Sequence, residues 1–435
     1  MRDPRGVLRL REDGVVRALH APLASDDFLF HPLARQFVAE EKLVDFSTSS
    51  LGSIESPRLP FVSHPDEWAD SQLFDAAALT LEICDRLASV SHELKDASAW
   101  NVIFDGCRPV FCDHLSFQRI GGPQWWAFGQ FVRHFVLPLS VSRWRGMPSS
   151  EVFRVHRDGL QPSRARELHG LHRFFTRQWP LMMAAKESNA RADRRTATPY
   201  HARLVQFLRW QMATLKPRQI PHGGWASYEA TRSHYGEASI RQKRSVISTW
   251  IENVRPRWVL DLGCNLGEFS MLCAQHGAKV IAADFDPNCI DALYRAQRGN
   301  RSIHPVVANL DDLAGGRGWA GWEIPGLPAR LAGLSDVVLA LGLVHHLAIT
   351  HAIPLNEVVA FLRQCTQRYV MVECISESDP LVIHLCQQRG RQAAEFSLAG
   401  QLACFGQEFR VLESIELEGT ERRLLLLENF TKQAR

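Results

Sequence analysis

The spacing of apolar and polar positions changes several times along the chain, and each change marks an element. Near the start, Val7-Leu-Arg-Leu-Arg-Glu-Asp-Gly-Val-Val-Arg17 alternates short apolar and charged text. That period of two predicts a hairpin turning at Asp13-Gly14. Residues 31–48 read as helix, and residues 49–67, rich in Ser and Pro, as loop. From Trp68 to Leu94 apolar residues such as Leu73, Ala77 and Leu81 recur at helical spacing, which predicts a core-facing amphipathic helix. Two short strands flank Asp105-Gly106. The aromatics of 123–147, among them Trp125, Trp126, Phe131, Phe135 and Trp144, sit at helical spacing and read mostly as core. Residues 150–183 read as one or two further helices whose arginines form a solvated face.

The pattern changes after the middle. Residues 186–199 hold almost no large apolar side chain and read as an exposed linker. A helix at about 200–215 follows, then breakers at Pro217, Pro221, Gly223 and Gly224, then a helix at about 237–253. From Arg257 onward short apolar runs alternate with helical stretches. Strands are expected at 258–262, 279–283, 303–308, 335–341 and 368–374. Residues 379–405 read as helix, and 408–416 and 422–428, joined through Gly419, as an antiparallel pair. The chain is therefore expected to be α/β. A mainly helical α+β domain at 1–185 and a connection at 186–224 precede a doubly wound sheet domain at 225–435.

Composition narrows the classes. At 435 residues the chain is too long for one ordinary domain. Apolar residues are 46% and charged residues 22%, enough for sizeable cores. A net charge of +3 gives no electrostatic case for nucleic acid or membrane binding. None of the ten cysteines forms a C-x-x-C pair, which fits reduced thiols in a cytoplasmic protein better than a disulfide frame or zinc site. No apolar h-region follows the N-terminus, and no apolar run is long enough for a membrane span.

The chemistry concentrates in Trp258-Val-Leu-Asp-Leu-Gly-Cys-Asn-Leu-Gly-Glu-Phe-Ser270, a buried strand, a glycine turn and a helix start. Gly263 and Gly267 permit close backbone approach to a ligand. Asp261 would repel a pyrophosphate at that turn and suits a ligand bearing an ammonium or sulfonium cation. Asp284 follows Gly267 by 17 positions at the next strand end, where a carboxylate can accept from both hydroxyls of a ribose. D-L-G-C-N-L-G resembles motif I of the class I S-adenosylmethionine (SAM) dependent methyltransferases, with Asn265 where that family usually has glycine.

The resemblance covers about 225–430. It implies SAM as cofactor and a seven-stranded Rossmann-like sheet closed by an antiparallel C-terminal hairpin. It further implies that Asp261 and Gly263 meet the methionine end, Asp284 the ribose and Asn309 the adenine, with Cys264, Asn265, Gly267, Phe285, Leu310 and Leu341 also binding the cofactor. Asp311 and Asp312 are alternatives to Asn309, or helix caps. His346, with His345 as second choice, is the candidate for activating the acceptor. Adjacent histidines diverge on a helix, so at most one is expected to face the site, and a polar helix start is the competing account. Glu373 is placed to face the cleft. Tyr228, Tyr235 and Lys243 resemble a methyltransferase lead-in that folds over the site, or else pack an ordinary first helix. No metal is expected, because no third ligand stands at convincing spacing.

In the front half, Asp96, Asn101 and Asp113 are spaced as in the catalytic loop and metal-binding aspartate of protein and aminoglycoside kinases, which this region weakly resembles. No glycine-rich phosphate loop or evident strand lysine accompanies them, and local turn formation by Asp96 and Asn101 competes. With its D-A-x-x-W-N-V-x-F front half, the whole chain looks like two-part bacterial nodulation-type methyltransferases. A small-molecule or saccharide acceptor, through oxygen or carbon, is favoured over nucleic acid by the near-neutral charge and the lack of an N-P-P-Y motif. Three alternatives stay open: SAM binding without catalysis, a bifunctional protein with a kinase-like front, and a nucleotide dehydrogenase.

Overall fold

The structure is a computed structural model that describes residues 2–3, 5–11, 14–49, 52–122, 125, 127–183, 197–218 and 236–430. Contacts group the chain into two units, Met1–Gln219 and Ile220–Arg435. The tip of the expected first hairpin at Asp13, Trp126, most of the linker, and the lead-in with Tyr228 and Tyr235 lie outside the described residues.

The first unit begins with a five-stranded antiparallel sheet. Its strands are β1 (Arg2–Asp3), β2 (Gly6–Leu10), β3 (Gly14–Leu19), β4 (Ser47–Ser49) and β5 (Ser53–Pro57), in the order β1-β2-β3-β5-β4. The alternating text pairs as a hairpin, with Leu10 opposite Val15. Two expectations are corrected. The helix expected at 31–48 spans only Pro32–Ala39, because Glu41 turns into the left-handed region (φ 55°) and the chain then runs extended into β4. The expected loop at 49–67 contains β5, whose Ile54 is buried while Glu55 faces out. One apolar residue in Ser/Pro-rich text is too little to show a period; pairing with β3 supplies the order.

The amphipathic helix spans Asp70–Ala88 and buries Leu73, Ala77 and Leu81. After it come β6 (His92–Leu94), β7 (Val102–Asp105), β8 (Arg108–Phe111) and β9 (Phe117–Arg119), which pair β6 with β9 and β7 with β8. Helices Leu137–Arg145, Ser149–Val155 and Pro162–His169 follow. Phe131 and Phe135 are fully buried; Trp144, at 39% exposure, departs from the expected aromatic core.

The second unit is a mixed α/β structure built on one seven-stranded sheet. Its strands are β10 (Trp258–Leu262), β11 (Lys279–Asp284), β12 (Ile303–Val307), β13 (Ser335–Ala340), β14 (Thr366–Ile375), β15 (Phe409–Glu416) and β16 (Arg422–Asn429). They lie in the order β12-β11-β10-β13-β14-β16-β15. The first five are parallel and the C-terminal pair is antiparallel. Every residue of β13 is buried, as a strand covered on both faces requires. On one face Ile247 and Trp250, from the helix Glu237–Val254, pack with Val259, Val280, Val337 and Leu424. Burial of each such Val, Leu or Ile side chain stabilises by roughly 1.5–3 kcal/mol. The stretch expected as one helix at 379–405 is two, Pro380–Gln388 and Leu398–Glu408, because Gly390 adopts a left-handed turn (φ 64°) that ends the first.

Candidate functional site

The turn after β10 is set by the end of β11. The N–H groups of Gly263 and Cys264 donate to Ala283 O at 2.8 and 3.1 Å. The Asp284 carboxylate accepts the Asn265 N–H on Oδ2 (2.8 Å) and the Asp286 N–H on Oδ1 (2.9 Å). Gly263, Asn265 and Gly267 have φ of 71°, 51° and 80°. Asparagine tolerates that left-handed geometry better than most side chains, so it can stand where a glycine was expected. Gly267 has a second constraint: a Cβ there would lie 2.5 Å from Leu293 Cδ1. The helix Glu268–Gln275 starts directly from this turn.

Above the carboxyl ends of the parallel strands lies a cavity of about 420 Å³, within the range of small-molecule sites. Its wall brings together Gly263, Cys264 and Asn265 from the turn, Asp284 and Phe285 after β11, Asn309 and Leu310 after β12, and Leu341 and His346 after β13. Lys243 reaches it from the first helix of the unit. Asp261, Gly267 and His345 are not on the wall. Asp261 is buried beneath it and accepts the Ser270 hydroxyl at 2.6 Å; burial pushes its carboxyl up to about 6. Burial also raises Asp284, against the backbone N–H groups that favour its charged form. Phe285 is half exposed.

The two histidines stand at the start of a five-residue π-turn, His346–Thr350, which His345 precedes. His351 N–H donates to His346 O at 3.1 Å, an i→i+5 bond. His346, Leu347, Thr350 and His351 line the cavity, while His345 is buried behind, its ring 4.1 Å from that of His346. Burial lowers His346 to about 4, with smaller contributions from nearby His351 and Arg422, and lowers His345 well below its ordinary value. Both imidazoles are therefore neutral near pH 7.

Several wall residues escape sequence reasoning. His351 Nδ1 stands 2.5 Å from Asp311 Oδ2, joining the π-turn to the loop after β12. Arg422, from β16, lies on the wall beside Lys243. Glu373, expected to face the cleft, is fully buried instead. It takes Lys243 Nζ on Oε2 (2.6 Å) and Arg422 Nη1 on Oε1 (3.1 Å), and Arg422 Nε reaches Asp379 at 3.0 Å. A lone Arg at a strand start carries no sequence signal for this role.

In the first unit, Asp96 and Asn101 form a local turn. Asn101 Nδ2 donates to Asp96 O (3.2 Å), and Asp96 Oδ1 accepts the Ser98 N–H (2.9 Å). Asp113 Oδ1 takes Arg17 Nη1 at 3.0 Å, a buried pair from β3 that the sequence did not reveal. Among the described residues no group of three or more His, Cys, Asp or Glu is placed to hold a metal ion. Among them, too, no helix is long and apolar enough to cross a membrane.

No protein-family model matches the chain. Solved structures similar to it include WbdD, at 19% identity and TM-score 0.34 over 49% of this chain. They also include magnesium protoporphyrin IX methyltransferase (ChlM) from Synechocystis PCC 6803 with bound SAH, at 15% identity and TM-score 0.33 over 47% of this chain and 94% of that one. N-methyltransferase NodS from Bradyrhizobium japonicum WM9 is similar at 10% identity and TM-score 0.34, over 44% of this chain and 97% of that one. The match spans 44% of the WbdD chain, less than half its length. In sequence, the chain is 28% identical over 455 residues to nodulation protein NoeA of Rhizobium meliloti (strain 1021), covering 98% of this chain and 94% of that protein. The resemblance read from the front-half motif and the glycine turn thus extends, as similarity to a nodulation protein, through both units of the chain.

Proposed function

We propose that the second unit binds S-adenosylmethionine in the cavity over β10–β13 and is a methyltransferase for a small-molecule or saccharide acceptor. The observation that carries this reading is Asp284. Its carboxylate stands on the cavity wall at the end of β11, oriented by two backbone N–H groups, beside a turn of left-handed residues. That donor set suits a nucleoside: an acid for the ribose hydroxyls, the Asn309 amide for an adenine amine, and the half-exposed Phe285 ring for its face. The bound cofactor supplies an already activated methyl group.

The chain's own residues then bind, orient and exclude water. Gly263 presents its backbone where a side chain would crowd Leu343 (3.3 Å), so the ligand packs against main chain. Lys243, fixed to Glu373, closes the wall near Phe269, with Nζ 5.2 Å from that ring's centroid. His346, neutral at pH 7, lines the wall as a polar contact for the acceptor. The deeply buried His345 is left a packing role.

Isothermal titration with S-adenosylhomocysteine (SAH) and with NAD tests this. SAH should bind, and Asp284→Ala should weaken it at least about thirtyfold, the equivalent of about 2 kcal/mol for lost charge-assisted bonds. Binding of NAD without SAH would refute the reading. SAH binding with no methyl transfer to any acceptor in a broad panel would reduce it to cofactor binding without catalysis.

A further inference from the structure

Two imidazoles reach one cavity from positions that an ordinary helix would send apart. On an α-helix, residues i and i+5 stand about 140° from one another. The i→i+5 bond between His351 N–H and His346 O widens the turn and brings the two closer, and both residues line the cavity. His351 has a carboxylate at its Nδ1, that of Asp311 at 2.5 Å, delivered by a separate loop. Thr350, between them, places on the same wall a hydroxyl that is buried and has no hydrogen-bond partner among the described residues. An imidazole with one nitrogen held by a carboxylate and the other directed elsewhere is the general arrangement of an oriented base.

We propose that His351, oriented by Asp311, is the proton acceptor of the cavity and that the methyl acceptor is a hydroxyl or an amine. This rests on the methyl-transfer reading above. In the step, an oxygen or nitrogen lone pair of the acceptor forms the bond to the methyl carbon. The S–CH₃ bond breaks with its electron pair left on sulfur, and the acceptor's O–H or N–H proton passes to His351 Nε2. The resulting imidazolium lies against the carboxylate of Asp311, which is the positioning residue. A carbon acceptor without an acidic proton gains nothing from this pair.

The test reads the tautomer of His351. Histidine-selective ¹³C/¹⁵N NMR on the full chain, free and with SAH, should show neutral His351 as the Nδ1–H form with a bare Nε2. Asp311→Ala should convert it to the Nε2–H form. A wild-type Nε2–H tautomer has no lone pair for the acceptor proton and overturns the proposal, as does a tautomer that Asp311→Ala leaves unchanged. If Asp311→Ala does not fold, the wild-type tautomer alone still decides. A transfer assay with catechol, benzylamine and 1-methylindole as O–H, N–H and carbon probes, the last without an acidic proton, adds a second readout. Methylation of catechol or benzylamine that falls at least about a hundredfold in His351→Gln supports the proposal; methylation confined to 1-methylindole overturns it. Absence of SAH binding would refute the cofactor reading while the tautomer result stands, so the two failures are distinct.

Discussion

Lys243, from the helix Glu237–Val254, and Glu373, near the end of β14 and 130 positions away in sequence, meet at 2.6 Å. Glu373 is wholly buried and also binds Arg422, so removing its charge leaves two buried cations short of a partner. Glu373→Gln is expected to destabilise the second unit by about 3–5 kcal/mol. Urea unfolding followed by intrinsic fluorescence measures it. A loss below about 1 kcal/mol would mean the network is relaxed by solvent.

Gly267 should tolerate alanine worse than Gly277. Both have positive φ, 80° and 88°, but a Cβ at Gly267 meets Leu293 Cδ1 at 2.5 Å, while at Gly277 it meets nothing within 4 Å. Gly277→Ala carries only the backbone strain, about 1–2 kcal/mol. Gly267→Ala adds crowding, for a total of about 2–4 kcal/mol. Thermal melts of the two variants beside wild type separate the contributions, and equal losses would rule out the steric part.

Asp261 and His346 should pull stability in opposite directions as pH changes. Burial raises Asp261 from 3.8 to about 6. Between about pH 4 and 6 the folded chain therefore holds more protons at this site than the unfolded chain, and that contribution is lost as pH rises. Burial lowers His346 from 6.5 to about 4. There the unfolded chain holds more protons between about pH 4 and 6.5, so stability is gained as pH rises. Each full transition corresponds to about 3 kcal/mol. Asp261→Asn should make stability climb more steeply from about pH 4 to 6, and His346→Gln should flatten the climb. Denaturant melts across that window check both slopes; the reverse pattern would contradict the assigned burial.

Arg17 bears on the kinase-like front. Asp113, which a magnesium ion would need, is paired with Arg17 at 3.0 Å and also accepts the Leu115 N–H at 3.2 Å. ATP with magnesium is expected to give no thermal stabilisation of the wild-type chain. Arg17→Ala should destabilise the first unit by about 3–5 kcal/mol, since it leaves a buried carboxylate unpaired. A clear shift of the wild-type melt with ATP and magnesium would revive the bifunctional alternative.

The parallel strands, the glycine turn and Asp284 were legible because each has a local signature: buried apolar runs, glycines with special φ, and a carboxylate at a fixed distance along the chain. The strand β5 was hidden because its order comes from β3, not from its own composition. His351 was hidden for a different reason. Helical spacing places it away from His346, and only the wider π-turn brings the two closer. The burial of Asp261, which raises its carboxyl against the Ser270 hydrogen bond, is a tertiary property that no motif announces. Arg422 and Arg17 act through partners 49 and 96 positions away, beyond the reach of any window.

The order of the last three strands has a consequence for how the chain is made. β16 lies between β14 and β15, so the strand synthesised last is interior and the one before it forms the rim. Until residues 422–429 emerge, β14 presents a bare hydrogen-bonding edge bordered by Val370, Met371 and Val372, and β15 has no sheet to join. Such an open edge is a template for pairing with other chains. A ribosome stalled near residue 416 would thus hold a nearly finished sheet in its most adhesive form. Addition of the final strand is the event that closes it.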